Sequence, residues 1–229
     1  HNLRDPWSQI AINLADAAMD VHAGLQEAPP LLLSIVLDEH ALHDRAAVDE
    51  LLDVITGWTD VAGFYLVVRF QDASYPAACE EACLSTLMYM VYVLSEVNNY
   101  EVIAGYADLV GLLLHSVGAT ATATGWFNSL RQFSLARFAP ARGGSQPRPR
   151  YTSLPLRNSI LVLPELETIY QVKELPSVLT GTSHDGVMKS GPANAPWPAK
   201  VSTQHHWESL HREIQAIQAL PTIAQRLDR

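Results

Sequence analysis

Two adjacent carboxylates stand directly after a strongly apolar run. Residues 31–37 read LLLSIVL, and Asp38 and Glu39 follow them. In parallel βα folds the ligand site forms at the carboxyl ends of the strands, where a partly buried carboxylate can serve as a general acid or base. Asp38 and Glu39 are therefore catalytic candidates. The alternative is that one of them caps the helix that follows or faces solvent.

Three further strand-like runs end in side chains that could contact a ligand. These side chains are Arg69 and Asp72 after residues 63–70, Tyr106 and Asp108 after residues 100–106, and Thr124, Trp126 and Asn128 after residues 119–124. We expect Asp108 to be a third catalytic candidate, and Arg69, Tyr106 and Trp126 to bind the ligand. Asp108 also stands where the N-cap of the next helix belongs, so capping is its alternative role.

Residues 109–164 contain no Asp or Glu and six arginines, whereas the whole chain has a net charge of −9. Arginine suits bidentate recognition of phosphate or carboxylate. We expect three of the six, Arg131, Arg148 and Arg150, to bind an anionic ligand, and Gly143-Gly144 could add backbone N–H groups. The alternative is that these arginines pair with the acidic residues of positions 1–108, which hold 17 acids and 3 bases.

The other reactive side chains give weaker signals. Cys79 and Cys83 are the only cysteines, and their spacing favours two small buried side chains over half of a metal site. The His40/His43 pair and the histidines near position 205 match no established zinc spacing, so no metal site is predicted. No cofactor is indicated by any motif.

The elements that position these residues alternate between strand and helix. Four buried strand-like runs, at residues 31–37, 64–70, 101–106 and 119–124, are each followed by a helical pattern, which predicts neighbouring parallel strands in chain order. We expect an α/β fold made of the later strands of a TIM-type (β/α) barrel, plus a C-terminal helix. A doubly wound open sheet is the alternative, although neither G-x-G-x-x-G nor G-x-x-x-x-G-K-[ST] is present.

The segments divide the chain into a barrel portion at residues 1–171, a loop or linker at 172–203 rich in Pro, Gly and Ser, and a C-terminal helical segment at 204–229. A helix over residues 76–96 is apolar almost all round, which predicts burial on both faces and a possible protein partner. Another helix is expected from about Asn128 to Phe138.

Residues 100–130 resemble the end of the barrel in tRNA-guanine transglycosylases. The resemblance lies in the run Ala104-Gly105-Tyr106-Ala107-Asp108-Leu109 and in Ser116-Val117-Gly118-Ala119, which leads into the next strand. It implies a barrel fold that acts on a nucleobase. The family's zinc-binding cysteine cluster is missing from this sequence, and Thr124-Gly125-Trp126 stands where that family has a nucleophilic Asp.

Together these features predict a barrel that binds a phosphate-bearing ligand, a nucleotide or a nucleic acid, at its strand-end rim. Modification of a nucleobase or sugar, a transferase reaction, would follow with Asp38 or Glu39 as the acid or base. The alternative is a non-catalytic barrel subunit that serves as a protein-interaction scaffold. No uncharged apolar run reaches the ~18 residues that a membrane-spanning helix needs, and a cytoplasmic location is expected.

Overall fold

Four strands form a parallel sheet in chain order. A computed structural model describes residues 3–71, 75–76, 79–135 and 148–229. The strands are β1 (Leu32–Asp38), β2 (Gly63–Arg69), β3 (Glu101–Gly105) and β4 (Ala121–Ala123), and each pairs in parallel with the next. The prediction of neighbouring parallel strands is confirmed. In the part of the chain that is described, β1 and β4 each pair on one side, so the sheet is open there and no closed barrel is seen.

In the sheet region one helix precedes the first strand and three connect successive strands. They are α1 (Pro6–Ala23), α2 (Arg45–Ile55), α3 (Glu81–Tyr92, continued by a π-helical turn at Val93–Val97) and α4 (Val110–Ser116). Asp5 and Asp44 cap α1 and α2 by accepting hydrogen bonds from first-turn amides. Parallel strands need such crossovers, and the helices cover the sheet face that carries the main core.

The two faces of the sheet differ in burial. The register places Leu33 and Phe64 on one face with Val102, and all three are buried in the main core with the helices. Val36 lies on the opposite face, in register with Val67, and is 59% exposed. Parallel sheets are normally covered on both faces, so the face around Val36 is unusually open.

Helix α3 is buried along one stripe only. Its buried residues are Cys83, Thr86, Leu87, Met90 and Val91, with Leu94 in the following turn. Ser85 and Tyr92 are exposed, and the Arg45 guanidinium lies over the Tyr89 ring at 3.1 Å. The prediction that both faces of α3 are buried is wrong. Leu84, Met88 and Tyr89 are only half-buried, at the edge of the buried stripe, and do not form a second buried face.

The expected helix from Asn128 to Phe138 is also wrong for its described part. A single 3-10 turn covers Asn128–Leu130, and Phe133 forms a parallel bridge with Arg69 at the end of β2. Phe133, the aromatic residue in the described part of this segment, packs against Tyr106 at the sheet end. Residues 136–147, including Phe138 and Gly143-Gly144, lie outside the described residues.

An antiparallel hairpin begins the C-terminal part. It consists of β5 (Arg150–Ser153) and β6 (Asn158–Leu161), followed by a π-helical turn at Val162–Leu166, α5 (Glu167–Gln171), α6 (Leu175–Val178), 3-10 turns at Asp185–Ser190 and Pro192–Asn194, α7 (Ala199–Gln218) and α8 (Ile223–Leu227). Residues 172–203 were expected to be a loop or linker. Instead they fold onto the hairpin, because Met188 and Trp197 are buried beside Tyr151 in a second hydrophobic core.

A buried polar network fixes this second core. The Tyr151 hydroxyl donates to the Asp185 carboxylate at 2.8 Å, and the Gly181 amide donates to it at 2.6 Å. His205 of α7 lies 2.9 Å from the Thr152 carbonyl through Nε2. A carbonyl can only accept, so Nε2 carries the proton of this neutral imidazole. Burial lowers the pKa of His205 to about 4.

Helix α7 joins the two parts of the protein. Leu210 and Ile217 pack with Leu112 of α4 in a third, small core. Pro221 lies between two helices, since α7 ends at Gln218 and α8 begins at Ile223. None of the described helices combines the length and apolar character needed to cross a membrane.

Candidate functional site

The carboxylates at the end of β1 are held by protein groups. Asp38 is buried, accepts from the His40 amide at 3.1 Å and lies 3.2 Å from the Arg69 guanidinium. Glu39 accepts from the Gln71 amide at 2.8 Å. Asp38 therefore acts as a cap, which was the alternative to a catalytic role, and its carboxylate holds the Arg69 guanidinium in an ion pair. These contacts form a satisfied cluster at the ends of β1 and β2.

The end of β3 has an unusual backbone conformation. Tyr106 has a φ of 56° and Asp108 a φ of 44°, which are left-handed conformations that cost non-glycine residues about 1–3 kcal/mol each. Asp108 does not cap α4, whose N-cap residue is Leu109 and which lacks a side-chain cap hydrogen bond. Residues held in such conformations cluster at ligand and active sites.

The Asp108 carboxylate meets a buried histidine. Its Oδ1 lies 3.0 Å from Nε2 of His206, a residue of α7 that is fully buried. Nδ1 of His206 lies 2.9 Å from the Thr152 hydroxyl. Burial lowers the pKa of His206 and outweighs the opposing effect of Asp108, so the imidazole is neutral at pH 7.

The contact between Asp108 and His206 is close without being a regular hydrogen bond. Among the residues that the structure describes, Asp108 Oδ1 and His206 Nε2 both lack a hydrogen-bond partner of good geometry. Buried polar atoms without such a partner are rare, and each one calls for a functional or structural explanation. The pair is thus placed to accept a further polar partner.

A cavity of about 590 Å³ opens beside Asp108. Its volume lies within the range of small-molecule sites. The charged residues that line it are Asp108, Arg131, Arg157, Glu213, Arg226 and Arg229. Aromatic side chains of Phe70, Tyr75 and Tyr106 contribute to the same wall. The cavity joins the end of β3 to the hairpin and the C-terminal helices.

Arg131 lies in the wall of this cavity and is only 1% exposed. It donates to the Tyr75 hydroxyl at 2.9 Å and to the Gly125 carbonyl at 3.4 Å. Its second terminal nitrogen, Nη2, is buried and has no partner among the described residues. Burial raises the pKa of Tyr75 to about 12, so its hydroxyl stays protonated. A buried guanidinium nitrogen without a partner is costly, which favours a further polar partner beside it.

At the other end of the cavity two arginines share one carboxylate. Glu213 lies 2.9 Å from Arg157 and 3.1 Å from Arg229. Burial alone would raise the pKa of Glu213, but hydrogen bonds from the two guanidiniums lower it below its ordinary value. Arg226 pairs with Glu96 at 3.2 Å. The two guanidiniums share the single negative charge of Glu213, so one positive charge is left over at this end of the cavity.

The remaining predicted ligand-binding residues lie outside this cavity. Trp126 packs edge-on against Trp207 with ring centroids 5.0 Å apart. Arg150 donates to the carbonyls of Ser159 and Tyr75, so it connects the hairpin to the cavity wall. Arg148 is exposed before β5. Arg137 and Arg142 lie outside the described residues.

The alternative, that the arginines pair with acidic residues of positions 1–108, has little support in these contacts. Of the described arginines between 109 and 164, Arg157 alone has a carboxylate within 4 Å, and that carboxylate is Glu213 of α7. The cavity thus collects positive charge from two separate parts of the chain.

Sequence reasoning missed His206, Tyr75, Arg157 and Arg229 as site residues. A signal existed for His206, because it is in helical phase with Leu210 and Ile217. Within the described residues no group of three or more His, Cys, Asp or Glu side chains is arranged to hold a metal ion. Comparisons with protein-family models, with curated proteins and with solved structures gave no match.

Proposed function

We propose that the cavity beside Asp108 binds a small phosphate-bearing ligand, of nucleotide size. One observation carries this proposal. The cavity is lined by four arginines and two carboxylates, in a chain whose net charge is −9. Positive charge concentrated in a concave, partly desolvated site attracts anions, and arginine matches the geometry of phosphate oxygens.

The size and lining of the cavity favour a ligand with an aromatic part. A volume of about 590 Å³ exceeds what a lone phosphate needs. Tyr106 packs on Phe133 with ring centroids 5.6 Å apart, which presents a firm aromatic surface beside Asp108. Aromatic rings give nucleobases a stacking surface. In this arrangement the phosphate lies toward Arg157 and Arg229, and the base or sugar lies toward Asp108.

Asp108 is the proposed acid or base for modification of a nucleobase or sugar. Its carboxylate lies at the strand end, is nearly buried and contacts neutral His206 at 3.0 Å. The close contact with the buried imidazole fixes the orientation of the carboxylate. A carboxylate in this position can take a proton from the ligand. A role for Asp38 or Glu39 is less favoured, because both accept hydrogen bonds from nearby amides.

The four strands are proposed to belong to a (β/α) barrel. Chain-order parallel pairing with a helix between successive strands supports this arrangement. The exposed sheet face around Val36, 59% exposed, is the face that a barrel would turn inward. Phosphate sites of such barrels often lie at the ends of the last strands, and this cavity lies at the end of β3.

Calorimetric titration tests the proposal. Nucleoside monophosphates and the matching nucleosides are titrated at low and high salt into wild type, an Arg157→Ala, Arg229→Ala double variant, and an Arg45→Ala control whose arginine pairs with Asp49 on α2. We expect monophosphates to bind more tightly than nucleosides, salt to weaken binding, and only the double variant to lose affinity. RNA and DNA oligonucleotides extend the series. If wild type binds none of these ligands at low salt, the proposal is wrong.

A second candidate function, a protein-interaction scaffold, has its own supporting observation. Helix α1 has no buried residue, and Trp7, Leu14 and Val21 are each more than 60% exposed. An apolar cleft of about 1090 Å³ separates α1 from β1. On α3, Tyr92 is 39% exposed, so a partner on that helix would meet a smaller apolar surface. Light scattering across a concentration series tests whether copies of the chain associate.

A further inference from the structure

Three buried polar atoms beside the ligand cavity have no hydrogen-bond partner among the described residues. They are Asp108 Oδ1, Arg131 Nη2 and His206 Nε2. Asp108 and Arg131 line the cavity, and the fully buried His206 lies with Nε2 3.0 Å from Asp108 Oδ1. Since buried polar atoms are nearly always paired, unpaired atoms in a cavity wall are places where a ligand can make its hydrogen bonds.

The Tyr75 phenol lies near both cavity-lining groups. Its hydroxyl accepts from Arg131 Nη1 at 2.9 Å, which holds the guanidinium in place and leaves Nη2 unpaired. Burial raises the pKa of Tyr75 to about 12, and the nearby Asp108 carboxylate adds to the rise. The carboxylate and the guanidinium thus act on the same hydroxyl, so they belong to one part of the cavity wall.

The two cavity-lining atoms have opposite hydrogen-bonding roles. A carboxylate oxygen accepts, whereas a guanidinium nitrogen only donates. A ligand group that satisfies both must therefore donate a hydrogen at one atom and accept at a neighbouring atom. Tyr106, which packs on Phe133 with ring centroids 5.6 Å apart, gives the same cavity an aromatic surface. This surface favours a flat ring whose edge carries the donor and the acceptor.

Unpaired hydrogens outnumber unpaired acceptors at this wall. Arg131 Nη2 carries two N–H groups, and Asp108 Oδ1 is one acceptor atom. An oxo edge, in which a ring N–H stands next to a carbonyl, brings one hydrogen and an oxygen with two lone pairs. An amino edge, in which an NH2 group stands next to a ring nitrogen, brings two hydrogens and one lone pair. The amino edge therefore adds an unpaired N–H to a buried wall, which is costlier than an unused carbonyl lone pair.

We propose that Asp108 and Arg131 make the cavity prefer nucleotides whose base has an oxo edge, such as uracil or hypoxanthine, over those with an amino edge, such as cytosine or adenine. The ring N–H donates to Asp108 Oδ1, and the carbonyl accepts from Arg131 Nη2. This inference rests on the proposed nucleotide site and names the class of base that it takes. Arg157 and Arg229 hold the phosphate and do not contribute to the preference.

Calorimetric titration of wild type with matched nucleoside monophosphates tests the preference. The pairs are uridine against cytidine monophosphate and inosine against adenosine monophosphate, which differ within each pair at the edge of the ring. We expect the oxo member of the pair that binds to bind about tenfold to a hundredfold more tightly. The ratio should be the same at low and at high salt, because the ring edge is uncharged.

Variants separate the two ends of the cavity. Asp108→Asn is expected to abolish the preference, because an amide can turn either its oxygen or its NH2 group toward the ring. Asp49→Asn, the same change at a half-exposed position of α2, is its matched control and should keep the preference. The Arg157→Ala, Arg229→Ala double variant should weaken both members of a pair and leave their ratio unchanged. Circular dichroism checks that each variant is folded.

Equal affinities within the pair that binds, or tighter binding of the amino member, would overturn the preference while the cavity proposal stands. A ratio that folded Asp108→Asn leaves unchanged would overturn it as well. If no monophosphate binds to wild type, the cavity proposal fails and this inference fails with it. The wild-type ratio decides the question even if Asp108→Asn does not fold.

Discussion

Asp108 Oδ1 lies 3.0 Å from Nε2 of His206, and this contact joins the end of β3 to α7. His206 also contacts the Thr152 hydroxyl of the hairpin at 2.9 Å. One imidazole thus connects the parallel sheet, the hairpin and the C-terminal helix. The side chain of Asp108 is only 11% exposed and that of His206 is fully buried, so their contact is largely shielded from solvent.

A double-mutant cycle should show that Asp108 and His206 are coupled. The single Asp108→Ala and His206→Ala substitutions should each destabilise the fold by about 1–3 kcal/mol, because each removes the 3.0 Å polar contact between the two buried side chains. The double variant should lose less than their sum, with a coupling of about 0.5–3 kcal/mol. Urea denaturation gives the free energies of unfolding.

The matched control for this cycle is His211→Ala, on the same helix but exposed. Combined with Asp108→Ala, it should give additive effects. Additivity of Asp108→Ala with His206→Ala would show that the short contact carries no energy.

This contact also shows what the sequence could and could not predict. Tyr106 and Asp108 were placed correctly at a strand end, because a buried apolar run fixes where its strand stops. His206 is far away in sequence, and only the packing of α7 on α4 and the hairpin brings it to Asp108. Periodicity locates elements along the chain, but it does not give the contacts between distant elements.

Stability should fall as the pH drops from about 6.5 to about 4. The pKa of His205 is 6.5 in its ordinary state and about 4 in the fold, so between these values only the unfolded chain binds the extra proton. The full effect of this difference is roughly 3 kcal/mol, present above pH 6.5 and lost by pH 4.

The variant His205→Gln separates this effect from other titrations. It keeps an N–H donor for the Thr152 carbonyl but cannot titrate, so its stability should fall less steeply over the same pH range. Chemical denaturation at pH 7.5, 6 and 5 measures both proteins. Equal slopes for wild type and variant would exclude His205 as the cause.

One side of α3 should tolerate substitution and the other should not. Leu87 is 3% exposed in the main core, so Leu87→Ala should cost about 2–5 kcal/mol through lost burial and the cavity that remains. Ser85, two residues earlier, is exposed, and Ser85→Ala should change stability by less than about 0.5 kcal/mol. Thermal unfolding of both variants measures the contrast, and equal losses would mean that α3 is covered on both sides.

The failed helix at Asn128–Phe138 has a related explanation. Its apolar residues follow helical spacing, yet Phe133 packs against Tyr106 and bridges to Arg69 instead. An apolar residue can be buried by a helix face or by a sheet end, and spacing alone does not separate the two. The burial of Arg131 was not predicted either, because it depends on a contact with Tyr75, which is distant in sequence.

A methyl group added at Gly63 should weaken the pairing of β2 with β3. Gly63 is in register with Glu101, and a Cβ built at Gly63 would overlap the Glu101 carbonyl, which belongs to the rigid backbone of β3. Gly63→Ala should therefore destabilise the fold by about 1–3 kcal/mol, the usual cost of overpacking. Gly186 is the matched control, because a Cβ built there meets no atom within 4 Å. Gly186→Ala should be close to neutral, and urea denaturation compares the two. If Gly63→Ala were also neutral, the close approach of β2 to β3 at this register would be wrong.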